Sequence, residues 1–205
     1  MIEVHYKNEV NKESQLYKKL HEAHRRLINK ENTIWGSEAA AEASIRMDWL
    51  DLPSESRALL AQLDSLFAKH KHLTNVILCG MGGSSLGPEV IAHTFGKEIF
   101  VLDSTDPHYV SHSLTSDWSK TLVIVGSKSG STIETASQKS FFEDCFEKAG
   151  LNKADHMIIV TDPKSPLDLA SSEAGFTVVN ANPNVGGRFS VLGAFGLVPT
   201  ALIGI

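Results

Sequence analysis

The sequence predicts an α/β fold in which an N-terminal helical segment precedes a doubly wound, five-stranded parallel sheet. From residue 74 onward, short runs of Val, Ile and Leu alternate with segments of helical periodicity. Runs of this kind are typical of parallel strands that are covered by helices on both faces. The residues before this point show helical patterns alone. We therefore divide the chain into a helical segment, residues 1–73, and a sheet domain, residues 74–205.

The N-terminal segment is predicted to contain three helices. A second helix is expected from the N-cap residue Ser37 to about residue 52, and a third follows Ser54 with its leucines and Phe67 facing inward. Four histidines in polar stretches, at positions 21, 24, 70 and 72, are expected on the surface. The first helix should lie against a larger body, because it carries an apolar stripe made of Leu16, Leu20, Ala23 and Leu27.

The sheet domain alternates strands with helices. The five strands are predicted at residues 76–78, 99–102, 122–125, 157–160 and 177–179. Helices are predicted at residues 87–95, 106–113, 132–149 and 166–174, the last two ending before Gly150 and Gly175. Right-handed crossovers would give an open sheet that binds ligands beyond the carboxyl ends of its strands. Residues 191–205 are apolar but too short to span a membrane, and are expected in the core.

Composition and charge exclude several classes of function. The chain has 205 residues, of which 42% are hydrophobic, and a net charge of −5. Its cations are scattered, so there is no basic stripe and no nucleic-acid partner is expected. The N-terminus lacks the apolar region of a signal peptide, and no membrane partner is expected. Cys79 and Cys145 lack metal-ligand spacing, which indicates reduced thiols in a cytoplasmic protein.

Three glycine-rich loops fall at the carboxyl edge of the predicted sheet. The middle loop, SKSGST at residues 127–132, follows a strand and leads into a helix, so its N–H groups and the helix dipole would face an anion. The first loop, GMGGSSLG at residues 80–87, has the same placement after another strand. The third, GGRFS at residues 186–190, sets Arg188 beside a turn. Together the three loops predict a pocket for a sugar phosphate.

The first loop resembles nucleotide-binding motifs only in part. Gly80 and Gly82, with Asp103 further along, resemble part of a dinucleotide-binding fingerprint, but Ser85 stands where its third glycine belongs. No Gly-Lys-Ser or Gly-Lys-Thr occurs, which excludes a P-loop. The glycines could also serve only to permit a tight turn.

Structural explanations remain open for the other candidate residues. The hydroxyls of the middle loop could simply cap a helix. Glu134, in the first turn of that helix, could complement the helix dipole. Arg188 could cap carbonyls or pair with an acid.

The three loops carry a family resemblance. GMGGSSLGP at residues 80–88, SKSGSTIE at 127–134 and GGRFSV at 186–191, in this order and spacing, resemble the glucose-6-phosphate isomerase family, specifically the first of its two sugar isomerase (SIS) domains. The similarity runs from about Trp35 to residue 205. It implies an aldose–ketose isomerase of glycolysis and gluconeogenesis that interconverts glucose 6-phosphate and fructose 6-phosphate through an enediolate. It also implies a homodimer in the full-length protein and no metal or organic cofactor.

The resemblance assigns roles to the positions that match these motifs. Arg188 is implied as the cation that stabilises the enediolate, and Glu134 matches an active-site carboxylate. An always-charged guanidinium suits the negative charge that develops on O1 and O2 of the sugar. The residues implied to bind the substrate are Gly83, Ser84, Ser127, Lys128, Ser129 and Thr132.

The sequence also departs from the family pattern. Many members have Thr and an aromatic residue where this chain has Ser129 and Gly130, which is closer to the general SIS pattern. An amino-sugar phosphate isomerase and a non-catalytic sugar-phosphate sensor therefore remain alternatives. The family's base glutamate, ring-opening histidine and late lysine match nothing here, and the sequence stops among apolar residues. We expect a fragment of a longer protein that is inactive alone.

Overall fold

The computed structural model describes His5 and residues 10–115 and 117–205, and this part of the chain contains the predicted parallel sheet. The strands lie in the order β2-β1-β3-β4-β5, and each neighbouring pair is parallel. The α/β fold class and the five predicted strands are confirmed. The strands are β1 (Asn75–Gly80), β2 (Phe100–Leu102), β3 (Thr121–Ser127), β4 (Met157–Thr161) and β5 (Thr177–Asn180).

Helices connect the strands and fill the N-terminal segment. Those of the described N-terminal segment are α1 (Gln15–Ile28), α2 (Ala40–Ala43), α3 (Leu52–Glu55) and α4 (Leu60–His70). Those that follow β1 are α5 (Leu86–Thr94), α6 (Pro107–Ser111), α7 (Ile133–Lys148), α8 (Lys153–His156), α9 (Pro166–Glu173) and α10 (Ala194–Leu202). The predicted ends of α7 and α9 are confirmed by Gly150 and Gly175, which have positive φ angles of 71° and 80°.

Helices α8 and α10 were not predicted. The short α8 begins at Asn152, whose side chain accepts a hydrogen bond from the backbone of Ala154. Helix α10 lies in the apolar stretch that was expected only to be core, and it is both helical and buried, with Val198 fully buried. Gly196 and Pro199 inside the helix hide its helical periodicity from a sequence pattern.

The two faces of the sheet bury separate cores. Along β3, Leu122 and Ile124 face one core, whereas Val123 and Val125 face the other. Helices α4 and α10 cover the first core, and α7 covers the second with Phe142 and other residues. Every residue of β3 is buried, which explains why residues 122–125 form an uninterrupted apolar run rather than an alternating one.

Helix α4 contributes two buried leucines to the first core, although its prediction was only partly correct. Leu63 and Leu66 are buried, whereas Leu60 and Phe67, also expected to face inward, are exposed. His70 was expected on the surface, and this was wrong: it is only 3% exposed, and its Nδ1 lies 2.8 Å from the carbonyl oxygen of Leu66. The division of the chain at residues 73 and 74 stays a prediction.

The prediction of one long second helix was wrong. Helix α2 ends at Ala43, and Met47 then forms an antiparallel bridge with Val185. Asp48 holds this connection, because its carboxylate accepts hydrogen bonds from Lys30 at 2.9 Å and Asn182 at 3.2 Å. The hydrogen bond from Lys30 is the main reason that the pKa of Asp48 is below its ordinary value. These contacts over long sequence distances override the local helical periodicity.

Helix α1 forms as predicted, but the packing expected for it is not observed among the described residues. Leu16 and Leu20, in its apolar stripe, are 68% and 61% exposed. Across the same residues, none of the helices has the length and apolar character that crossing a bilayer requires.

Candidate functional site

The strand order creates a crevice between β1 and β3. The chain leaves β1 toward β2 and leaves β3 toward β4, in opposite directions along the sheet, so this is a topological switch point. A cavity of about 380 Å³ lies there. The structure thus brings together six residues that the sequence separates, although their binding role stays a prediction. The six that line this cavity are Gly83, Ser84, Ser127, Lys128, Ser129 and Thr132.

A second cavity of about 380 Å³ lies elsewhere, between α6 and α7. Its walls are mainly apolar and include Val110, Leu114 and Phe141. Among its described lining residues there is no charged side chain, so it offers nothing to balance the charge of a phosphate. The cavity at the switch point is therefore the candidate site.

The middle loop leaves hydroxyls available at the N-terminus of α7. Thr132 is the N-cap residue, yet its side chain makes no capping hydrogen bond within the described residues, and its Oγ1 lies 3.4 Å from Oγ of Ser127. The capping explanation for this hydroxyl is therefore not supported. Ser129 differs, because its Oγ already accepts a hydrogen bond from the backbone N–H of Ser131 at 3.2 Å. The loop presents hydroxyls and N–H groups where the helix dipole favours an anion.

The sharp turn of this loop depends on Gly130. Its φ is +67°, and a Cβ there would lie 2.9 Å from the backbone nitrogen of Leu167, at the start of α9. Thr161, at the end of β4, holds the start of the loop in place by donating a hydrogen bond to the carbonyl oxygen of Ser127 at 2.6 Å. Its hydroxyl also lies 2.8 Å from that of Ser165, the N-cap of α9. Buried, mutually satisfied groups of this kind hold a loop in one conformation.

Lys128 is already paired within the cavity. Its Nζ donates to Oδ2 of Asp162 at 2.6 Å and to the carbonyl oxygen of Pro183 at 3.0 Å. Both charged side chains are largely buried, with 20% and 18% exposed. The other carboxylate oxygen of Asp162, Oδ1, is buried without a hydrogen-bond partner among the described residues. Lys128 therefore faces the cavity with much of its charge balanced.

The first and third loops pack against each other beside the middle loop. The first forms a tight turn at Gly82–Ser84, and the third forms a turn at Gly187–Leu192. The hydroxyl of Ser190 donates to the carbonyl oxygen of Gly187 at 2.7 Å, which closes the third turn. Gly187 lines the cavity together with Gly83. Backbone rather than side chain thus forms this wall.

The two predicted catalytic residues are not among the cavity-lining residues. Arg188 is exposed and has no described hydrogen-bond or ion partner, while its neighbour Phe189 stacks on Trp49 with ring centroids 5.4 Å apart. The alternatives in which Arg188 caps carbonyls or pairs with an acid are therefore not observed in the described residues. Glu134 is half-buried in the first turn of α7, next to the cavity-lining Thr135. The catalytic roles of both residues stay predictions.

Three further polar residues line the cavity that sequence reasoning did not select: Arg46, Thr135 and Asp162. Thr135 lies three residues after Thr132 on the same helix face, and its buried Oγ1 has no hydrogen-bond partner in the part of the chain that the structure describes. Asp162 directly follows β4, so the rule that ligands bind beyond strand ends could have found it. Arg46 had no local signal, because only the folding of the N-terminal segment brings it here.

Cys79 lies at the end of β1, directly before the first loop. It is fully buried, and burial raises the pKa of its thiol, which stays protonated. Both cysteines are free in the structure. Cys79 is therefore part of the core and not a nucleophile for this site.

Comparison with known proteins gives consistent matches. The sequence model of the family described as phosphoglucose isomerase matches residues 20–205. A glucose-6-phosphate isomerase of Thermus thermophilus is 33% identical over 191 residues, which cover 90% of this chain and 44% of that protein. Glucose-6-phosphate isomerase of a Cyanothece species is 36% identical over 174 residues, covering 76% of this chain and 33% of that protein.

A crystal structure of a hypothetical protein from Thermus thermophilus superposes with a TM-score of 0.77 at 33% identity, covering 91% of this chain and 44% of that one. The chain thus spans less than half the length of the relatives that it matches.

Proposed function

The chain belongs to the phosphoglucose isomerase family, and on this premise we propose that it supplies the phosphate-binding part of an aldose–ketose isomerase. The proposed reaction interconverts glucose 6-phosphate and fructose 6-phosphate through an enediolate, as a step of glycolysis and gluconeogenesis. The names of the two matched relatives support glucose 6-phosphate as a substrate. Because the chain covers only part of their length, the activity is proposed for the complete protein.

One observation carries the proposal: three loops distant in sequence line a single polar cavity at the switch point of the sheet. Ser127, Ser129 and Thr132 place hydroxyls there, at the start of α7. A phosphate dianion bound at this point would accept hydrogen bonds from hydroxyls and N–H groups and would be favoured by the helix dipole. The phosphate would then anchor the sugar, with its reacting carbons directed toward the first and third loops.

The chemistry requires a base and a cation near C1 and C2. A base takes the proton from C2 and returns it to C1, while the hydroxyl proton of O2 passes to O1, so that O2 becomes the carbonyl oxygen and O1 the hydroxyl. Negative charge on O1 and O2 in the enediolate needs a hydrogen-bonding cation, the role proposed for Arg188, with Glu134 as a supporting carboxylate. Since neither side chain lines the cavity, both would have to approach the substrate when it binds.

The chain alone is proposed to bind sugar phosphate without converting it. Asp162 is the carboxylate among the described residues that line the cavity, and Lys128 holds it in an ion pair. A paired carboxylate is a weak base for removing a proton from carbon. The same observation favours the second candidate, a sugar-phosphate sensor, which needs a phosphate site but no base.

The test compares ligands that differ only in the phosphate. Fructose 6-phosphate and fructose are titrated into the 205-residue chain and followed by calorimetry or NMR, and isomerisation is measured in parallel by a coupled assay. We expect binding of fructose 6-phosphate, no binding of fructose at the same concentration, and no turnover. Equal binding of both sugars, or of neither, contradicts the proposed site, and turnover at the rate of an intact isomerase contradicts the proposed inactivity.

Activity of the complete gene product separates the candidates. The isomerase converts glucose 6-phosphate, whereas a sensor binds it without conversion. Glucosamine 6-phosphate, assayed beside glucose 6-phosphate, distinguishes the amino-sugar phosphate isomerase.

A further inference from the structure

Arg46 reaches the candidate site from the N-terminal segment. It follows α2 and precedes Met47, whose bridge to Val185 ties this segment to the residues before the third loop. Its side chain is 38% exposed and lines the same cavity as Ser127, Lys128 and Thr132. A guanidinium therefore stands in the wall of the cavity, whereas Arg188 does not.

The hydrogen bonds of Arg46 set it beside Lys128. Arg46 Nη1 donates to the carbonyl oxygen of Pro183 at 2.8 Å, and Lys128 Nζ donates to the same oxygen at 3.0 Å. Two cations that share one acceptor lie side by side. Arg46 Nε is used by Glu42 at 2.8 Å, but Nη2 has no acceptor among the described residues. The guanidinium thus keeps donors that are not used within the protein.

The charges around the two cations are unequal. Asp162 pairs with Lys128 inside the protein, where both side chains are largely buried. Glu42, the partner of Arg46, is 70% exposed, so water and salt screen its charge. Of the two cations, Arg46 is therefore the less neutralised. An anion entering the cavity would therefore be attracted more strongly by Arg46 than by Lys128.

We propose that Arg46 is a substrate-binding residue that donates hydrogen bonds to the phosphate of a sugar phosphate held by the middle loop; this rests on the proposed function. The phosphoryl end is the part of the substrate assigned to Arg46 because its neighbour Lys128 belongs to the phosphate loop. A planar guanidinium also matches phosphate oxygens with two parallel donors. Arg46 would thereby couple the N-terminal segment to ligand binding.

The test measures binding of two ligands to the whole chain and three variants. The ligands are fructose 6-phosphate and inorganic phosphate, and the variants are Arg46→Ala, Arg46→Lys and the control Arg57→Ala. Arg57 is exposed, makes no described hydrogen bond or ion pair, and does not line the cavity. Arg57→Ala therefore removes one positive charge, as Arg46→Ala does, without changing the cavity wall. We expect Arg46→Ala to raise both dissociation constants about tenfold, Arg46→Lys to raise them less, and Arg57→Ala to leave them within about twofold.

The outcomes separate this inference from the proposed function. If the unmodified chain binds neither ligand, the proposed function fails and the inference with it. If it binds both and Arg46→Ala binds them equally well, only the inference fails, and Arg46 merely fixes the segment to Pro183. Weaker binding of fructose 6-phosphate with unchanged binding of phosphate also overturns it, since Arg46 would then contact the sugar. Circular dichroism checks folding, and Arg46→Lys keeps the test valid if Arg46→Ala does not fold.

Discussion

A Cβ atom placed on Gly83 would lie 2.1 Å from the carbonyl oxygen of Gly187, so the first and third loops touch through bare backbone. The same Cβ would lie 2.5 Å from the carbonyl carbon of Gly187. Backbone cannot rotate away as a flexible side chain can, so glycine at position 83 is required by contact with a distant loop. The contact joins two of the three loops of the candidate site.

Gly83→Ala should therefore destabilise the protein by about 1–3 kcal/mol, the usual range for overpacking, and weaken sugar-phosphate binding. Gly187→Ala is the matched control for stability, because a Cβ there would have no described atom within 4 Å. Denaturant unfolding measures both variants. Equal stability of the two would show that the loops can separate without cost.

Thr132→Val should separate ligand binding from helix capping. Because the hydroxyl makes no capping bond, we expect the free energy of unfolding to change by less than about 0.5 kcal/mol. The dissociation constant for fructose 6-phosphate should rise about tenfold, as one hydrogen bond to a charged group is lost. Thr74→Val, the same change at an exposed position outside the cavity lining, is the control. A loss of about 1 kcal/mol in stability with unchanged binding would instead indicate a capping role.

Asp162→Asn should lower the stability of the protein and increase the stabilisation that a bound sugar phosphate provides. The change leaves the largely buried Lys128 ammonium without its carboxylate partner, which should cost about 1–3 kcal/mol, less than a fully buried pair. A bound phosphate would then replace the lost charge, so the rise in Tm on adding fructose 6-phosphate should exceed that of the unmodified chain. Asp144→Asn, at an exposed site on α7, is the control. A smaller rise in Tm would contradict the proximity of Lys128 to the phosphate.

His70 should make stability depend on pH. Burial lowers the pKa of His70 in the folded state, against an unfolded value of about 6.5. The unfolded chain then binds the proton more readily, so the stabilisation is complete above about pH 6.5 and is lost as pH falls toward the lowered folded pKa. His70→Leu should reduce this dependence, whereas His72→Gln, at an exposed position, should not. Urea unfolding at several pH values measures the free energy of unfolding as a function of pH. Parallel curves for the unmodified chain and His70→Leu would refute the role of His70.

Sequence patterns predicted the sheet well because both its faces are buried. In β3 and β4 every residue is buried, so each strand contains a continuous apolar run of four residues that can be recognised without knowledge of its neighbours. The same patterns failed between Ser37 and residue 52. There the bridge from Met47 to Val185 and the hydrogen bonds of Asp48 break what looks like one helix.

The sequence by itself determined the five strands and their order along the chain, the three glycine-rich loops and the six residues that meet in one cavity. Motifs placed directly after strands suffice for this, because parallel strands end at a common edge. The tertiary structure alone decided that Arg46 lines the cavity, that Lys128 is paired with Asp162, and that Arg188 is exposed. These outcomes depend on contacts between residues far apart in the chain, which no local pattern of side chains encodes.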